Sequence, residues 1–392
     1  MNTTKGWSRR AVLAGFGAAS AVAAASGRAR ADVPDVLKVG AILSMSGSSP
    51  YYGTVMSRGA QMAVDEINDK GGVAGKRLQL VIEDHKSGNT QAAVDAMNRL
   101  IALENAQAVL LSFSGPTVAV APISEQKQIF VMNGGGVSPK MIGVSKYMFH
   151  NRALAADLAA GIIERAHERG LNKVAQIAIK SEFGDSAIAA SDDAAKRLGM
   201  NIVAVEQFGQ DATNIDTQVA KLRAAQPEAI ADWPTTPQSG MVVKRVREFG
   251  MQQPVLAMEW TAEDTKLAGV QNSEGVEVLT DYFGKSPDNP WGNRFFDAYK
   301  AKYGEDPDFY AANYYEAVFV IAECIRRAQA KGGDWWNGAR LTDALWQDPA
   351  FDSVYGGKMT FGKNGVAHKR VALLRIHDGQ PVLDHYMQSS AG

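Results

Sequence analysis

From Leu37 onward, short β-branched or leucine-rich runs alternate with longer alanine-rich runs whose apolar positions recur every three to four residues. This alternation predicts buried strands separated by amphipathic helices, the pattern of a mainly parallel sheet covered by helices on both faces. LKVGAI reads as the first strand. The segment after it sets Met56, Ala60, Ala63, Val64 and Ile67 on one helical face. Lys70-Gly71-Gly72 then ends that helix with a cation and a glycine able to take the left-handed conformation. LQLVIED, AVLLSF and IFVMN follow as strands, with AAVDAMNRLIALE and TVAVAPISEQK as the helices between them, so four strands are used by about residue 133.

After YMFHNR the cycle restarts, with a helix over 154–169 and the strands KVAQIAI, NIVAVEQF, EAIADW and PVLAM. The helices AIAASDDAAKRL, NIDTQVAKLRAA and SGMVVKRVREF separate those strands. GVEVLTDYF reads as a strand leading out of this second lobe, and WGNRFFDAYKAKY and YAANYYEAVFVIAECIRRAQA are helices long enough to pack back on the first. KMTFG, RVALLRI and QPVLDHY read as strands joined by GKNG and HDGQ turns. The plan is therefore a two-lobe α/β protein with a multi-strand hinge. Its expected parts are an N-terminal segment over 1–31, lobe one over 32–152, lobe two over 153–282, helices over 283–355 returning mainly to lobe one, and C-terminal strands over 356–392 that make a third crossing.

The first 31 residues break this pattern. Arg9-Arg10 stands just ahead of the 15-residue run AVLAGFGAASAVAAA, and Ala29-Arg30-Ala31 is a small-x-small cleavage pattern. The run falls short of the roughly 20 apolar residues that span a bilayer, so the segment reads as a twin-arginine signal peptide cleaved after Ala31. This route implies folding before export to the periplasm. Of 41 basic and 42 acidic residues, five basic ones lie before position 32 without an acidic counterpart, which leaves 36 against 42, a net charge of −6, for the remainder. A mildly acidic body argues against nucleic acid as a partner. The single cysteine, Cys324, lies in the apolar run AVFVIAECI and can form neither an internal disulfide nor a thiolate metal cluster.

Enzyme signatures are weak. The six histidines (His85, His150, His167, His368, His377, His385) form no HExxH and no i, i+4 pair on a helix, so no metal is expected. GGGVSP lacks the spacing of a dinucleotide loop and has no Lys-Ser/Thr after it, so no cofactor is expected, and Ser114 in SFSGP lacks the glycine two residues ahead that a nucleophile elbow needs. A binding role is favoured over catalysis.

Residues 43–80, LSMSGSSPYYGTVMSRGAQMAVDEINDKGGVAGKRLQL, resemble the opening of the leucine/isoleucine/valine-binding family of periplasmic solute-binding proteins, which serve ABC importers. The INxxGGxxGxxL portion is the specific part, and the resemblance continues through VLLSFSGPT, SEFGDS, DWPTTPQSGM and DFYAANYYEA. It implies a type I periplasmic-binding fold that traps a ligand between two lobes. It also implies that Ser114, Gly115 and Thr117 after the third strand, and Gly135, Gly136, Val137 and Ser138 after the fourth, hold a ligand carboxylate. Pro116 stands where the family often has serine, which removes one hydroxyl and one N–H. Tyr52 matches a lobe-one contact, Phe183, Thr235 and Glu259 match lobe-two positions that close over the ligand, and Tyr310 matches an aromatic near the hinge. Ser87 and Phe113 occupy places where close relatives carry a disulfide.

Read from the residues alone, Tyr52, Phe183 and Tyr310 are packing aromatics sooner than ligand contacts. Glu259, between VLAM and Trp260, either faces the cleft or caps the next helix. Trp233 and Trp260 both end lobe-two strands and would give an aromatic wall for a ring or a cation, or pack in the core. The resemblance implies a monomer that binds a small molecule and docks on ABC permease subunits. An amino acid of branched-chain type leads, with an aromatic or other small carboxylate or amide as the alternative. A ligand-sensing receptor component is the further reading, and its cytosolic form would lack the export signal.

Overall fold

The computed structural model describes Met1 and residues 33–388, so the export signal expected around Arg9 and Arg10, with its cleavage pattern at Ala29 and Ala31, lies outside the described residues. The architecture below is that of residues 34–388. Its first sheet is parallel, built from Val36–Leu43 (β1), Arg77–Asp84 (β2), Ala108–Leu111 (β3), Phe130–Asn133 (β4) and Met148–His150 (β5) in the order β2-β1-β3-β4-β5. Helices Pro50–Asp69 (α1), Thr90–Ala102 (α2) and Ser114–Lys127 (α3) cover it, and β3 and β4 are buried along their whole length. The fifth strand lies within YMFHNR, where the sequence pattern indicates only a boundary. Three buried residues are too few to show a period.

Lobe two carries helices Ala155–Glu168 (α4), Glu182–Leu198 (α5), Asp216–Ala224 (α6), Gln238–Glu248 (α7), Ala262–Ala268 (α8) and Val270–Ser273 (α9). Its strands are Lys173–Ile179 (β6), Asn201–Phe208 (β7), Ala229–Trp233 (β8), Val255–Ala257 (β9) and Glu277–Thr280 (β10). Helix α5 starts five residues before the expected Ala187, because the Ser181 side chain caps it by accepting from Gly184 N–H at 3.2 Å. The chain then returns to lobe one as Pro290–Tyr303 (α10), Phe309–Ala330 (α11) and Gly338–Gln347 (α12), with α11 against α1. The short strands Ala350–Asp352 (β11), Lys358–Phe361 (β12) and Ala367–His368 (β13) form their own sheet. Arg370–His377 (β14) and Gln380–Gln388 (β15) add an antiparallel hairpin to lobe two, giving the order β15-β14-β10-β9-β8-β6-β7. Helices α8, α9 and α12 were not indicated by the sequence pattern.

The chain thus passes between lobes after β5, after β10 and at Lys369, and each passage carries a buried charged side chain: Arg152, Asp281 and Lys369. The α1–α11 contact is close enough that a Cβ on Gly59 would fall on the Ala311 carbonyl oxygen. Gly59→Ala is therefore expected to lower stability by about 2–3 kcal/mol, measured by chemical denaturation, since one helix must move off the other. A cost within error of zero would mean that the helices separate freely. Among the described residues no helix is long and apolar enough to cross a membrane.

Candidate functional site

The carboxyl ends of β3 and β4 point toward lobe two, as expected for ligand sites on open α/β sheets. There they border a cavity of about 460 Å³ lined from both lobes. Tyr52, Ser114, Gly115, Gly136, Val137 and Tyr310 line it from lobe one, and Phe183, Thr235 and Glu259 line it from lobe two. Thr117, Ser138, Trp233 and Trp260 are not among its lining residues. Thr117 donates its hydroxyl to Phe113 O at 2.6 Å. Trp233 is fully buried in a lobe-two core and donates to Gln176 Oε1 at 2.8 Å, while Trp260 donates to Thr265 Oγ1 at 2.9 Å. The aromatic lining is instead Tyr52, Phe113, Phe183 and Tyr310.

The loop after β3 brings hydrogen-bond donors to one end of the cavity. Phe113, with φ of 63°, occupies the N-cap of α3 in a conformation costly for a bulky residue. It leaves the N–H groups of Ser114 and Gly115, in the first turn, without a hydrogen bond among the described residues, and Pro116 has no N–H. Ser114 Oγ accepts from both Val137 N and Ser138 N at 3.1 Å. With its lone pairs so occupied, the hydroxyl has its proton left for an acceptor in the cavity. The N–H groups of the second loop are therefore not free to hold a ligand. Gly135 and Gly136 donate to Asn133 Oδ1, at 3.3 and 2.8 Å, and the next two serve Ser114.

Asn133 is itself anchored by His150, whose Nδ1 lies 3.2 Å from Asn133 Nδ2 and whose Nε2 lies 3.3 Å from Met141 O. Burial lowers the His150 imidazole to about 4, and His85, against Ser112 and Gly88 N–H, is likewise lowered to about 4 by burial. The unfolded chain takes up protons below pH 6.5 while the folded protein does not, so this stability is whole above pH 6.5 and falls as pH drops toward 4. His150→Gln should reduce the fall in unfolding free energy between pH 6.5 and 4 by about 3 kcal/mol. Denaturation across that range would show it, and an unchanged slope would contradict it.

Glu259 forms the opposite end. It is 4% exposed and accepts hydrogen bonds from the Tyr52 hydroxyl, the Tyr310 hydroxyl and Thr236 N–H. The next helix is capped by Thr261 and Asp264, so Glu259 faces the cleft rather than capping. Burial, reinforced by the Glu259 charge, holds both phenols well above their ordinary value, which keeps them donors. Burial also raises Asp232, and pushes Asp264 up to about 6, with Glu259 adding to both. Among the described residues no basic side chain forms an ion pair with Glu259.

Arg152 also lines the cavity, a residue that sequence reasoning missed. Burial alone would lower its pKa, but Tyr310, Asp281 and Glu259 hold the guanidinium above its ordinary value. Ser138 works at the rim instead. It donates to Glu182 Oε1 at 2.8 Å and accepts from Ser186 Oγ at 2.8 Å, both on α5, while Lys140 pairs with Glu182 at 3.1 Å. On the other side Gln210 Nε2 donates to Ser87 O at 2.6 Å. Ser87 bonds Ser44 Oγ, Ser49 N and Ser46 O.

A family model described as "Periplasmic binding protein" matches residues 36–381. The curated Leu/Ile/Val-binding protein homolog 7 of Brucella abortus is 25% identical over 329 residues, 79% of this chain and 81% of that protein. Leu/Ile/Val-binding protein homolog 8 of Brucella suis is 26% identical over 390 residues, 94% of each. Among solved structures, a branched-chain amino acid transporter substrate binding protein from Streptococcus pneumoniae, in complex with isoleucine, has a TM-score of 0.81 at 23% identity and covers 90% of this chain and 99% of its own. A solute binding protein from R. palustris in complex with benzoate has a TM-score of 0.81 at 17% identity, covering 90% and 97%. At these identities the structural likeness carries the fold alone.

Proposed function

The chain belongs to the periplasmic binding protein family, and from this premise we propose that it captures a small α-amino acid in the interlobe cavity and delivers it to the membrane subunits of an ABC importer. The observation that carries the reading is Glu259, a buried cleft carboxylate without a basic partner among the described residues, with the free N–H groups of Ser114 and Gly115 facing the same cavity. An α-amino acid brings an ammonium for the first and a carboxylate for the second, and desolvated charges must be paired. The names of the Brucella relatives and the isoleucine bound to the S. pneumoniae protein agree with this ligand class. Export belongs to the same reading, with Arg9-Arg10 as twin-arginine determinant and cleavage after Ala31.

The second reading is an aromatic carboxylate, favoured by the lining of Tyr52, Phe113, Phe183 and Tyr310 beside the Arg152 cation, and by the benzoate bound to the R. palustris protein. The experiment is native mass spectrometry of protein purified without refolding, followed by thermal-shift screening of the released ligand's class, amino acids beside aromatic acids. Stabilisation by amino acids supports the proposal. Stabilisation confined to aromatic acids replaces it.

A further inference from the structure

We propose that Arg152 makes the cavity selective for a free carboxylate, its Nη2 supplying the donor that Pro116 removes from the first turn of α3. The inference rests on the cavity taking a small acid, whether amino or aromatic. Arg152 sits on the first passage between lobes and is 2% exposed. Its Nη1 donates to Gly135 O at 2.9 Å and to the Tyr310 hydroxyl at 3.0 Å. Its Nε lies 3.3 Å from Asp281 Oδ2 without hydrogen-bond geometry. Among the described residues nothing accepts from Nη2, and the residue lines the cavity, so a donor-bearing edge of a buried cation is left for whatever the cavity holds.

The position of that edge is defined by its neighbours. The guanidinium carbon is 5.0 Å from the ring centroids of both Phe309 and Tyr310, which pin the side chain from that side. Gly135, which Arg152 holds, precedes Gly136, and a Cβ on Gly136 would come within 2.9 Å of Ser114 N. The guanidinium and the free N–H groups of α3 therefore flank the Gly135-Gly136 step, and both line the same cavity. Tyr310 accepts from Arg152 and donates to Glu259, so one phenol separates the cationic and anionic ends of the cavity wall. A carboxylate between α3 and Arg152 receives Ser114 N–H, Gly115 N–H, the Ser114 hydroxyl and Nη2. A carboxamide would turn its own N–H groups toward those donors.

The test compares acid and primary amide in matched pairs: L-leucine with L-leucinamide, L-phenylalanine with L-phenylalaninamide, and benzoate with benzamide, by calorimetry. The chain is used as the mature protein. Removing Arg152 alone would strand Asp281, so the variant is Arg152→Met combined with Asp281→Asn, which removes both charges and keeps an acceptor for Asn313. In wild type the acid of a binding pair is expected to exceed its amide by about a hundredfold. In the double variant acid affinity is expected to fall by about thirtyfold or more while the amide changes less than about threefold. Arg152→Lys should fall between, keeping charge but not the planar edge.

Equal loss for acid and amide would mark Arg152 as merely structural and overturn the proposal. So would a preference that survives in the double variant, or silence of all three acids at millimolar concentration. Failure of the amino-acid reading looks different: the benzoate pair binds and responds to the double variant while the amino-acid pairs are silent.

Discussion

Replacing Glu259 by glutamine is expected to weaken an amino-acid ligand by two orders of magnitude or more while the protein stays folded, as read by calorimetry beside a thermal melt. The substitution keeps the shape of the side chain and an oxygen for Tyr52, Tyr310 or Thr236 N–H, but it removes the charge. An ammonium carried into a cavity of low polarity then has nothing to neutralise it, and an unpaired buried charge costs on the order of 3–5 kcal/mol. For an aromatic carboxylate the sign reverses, since the charge on Glu259 then repels the ligand. Unchanged or improved affinity in Glu259→Gln would remove the amino-acid reading.

The sequence pattern carried the architecture because buried parallel strands and amphipathic helices each leave a period, and the two alternate from Leu37 to Tyr386. It failed for β5 and for α8 and α9, which are three, seven and four residues long, too short to show one, and it passed over α12, whose ten residues bury Leu341, Ala344 and Leu345 on one face. The cavity was legible wherever a loop follows a strand. Ser114, Gly115, Gly136 and Val137 fall there by topology, and Glu259 shows itself as a carboxylate at the end of an apolar strand. The direction of side chains within those loops was not legible. Trp233 and Trp260 end strands as Glu259 nearly does, yet both are buried in lobe-two cores, where Gln176 and Thr265 satisfy their indole N–H groups. Arg152 was the informative omission. An arginine between the apolar MFH and the first residues of α4 is a cation with no neighbouring acid in sequence, and its partners, Asp281 and Tyr310, arrive from more than a hundred residues away.

The largest stability effect is expected at the hinge. Lys369, on the third passage, is 6% exposed and pairs at 2.5 Å with Glu316 of α11, which is fully buried. Glu316 also accepts from Ser353 Oγ at 2.6 Å, Val354 N–H at 3.2 Å and Asn151 Nδ2 at 3.3 Å, while Lys369 Nζ donates to Asn313 Oδ1 at 3.1 Å. Asn313 in turn reaches Asp281 Oδ2 at 3.2 Å, so all three passages are tied to one face of α11. The network positions segments that belong to neither sheet and have no strand neighbours to hold them. Lys369→Met leaves the Glu316 charge buried without its cation and is expected to cost about 3–5 kcal/mol in chemical denaturation. Adding Glu316→Gln removes that charge while keeping acceptors for Ser353 and Val354, and should recover all but about 1–2 kcal/mol of the loss. If the single variant costs less than about 1 kcal/mol, or the second substitution deepens the loss, the ion pair does not hold the hinge and the surrounding hydrogen bonds do.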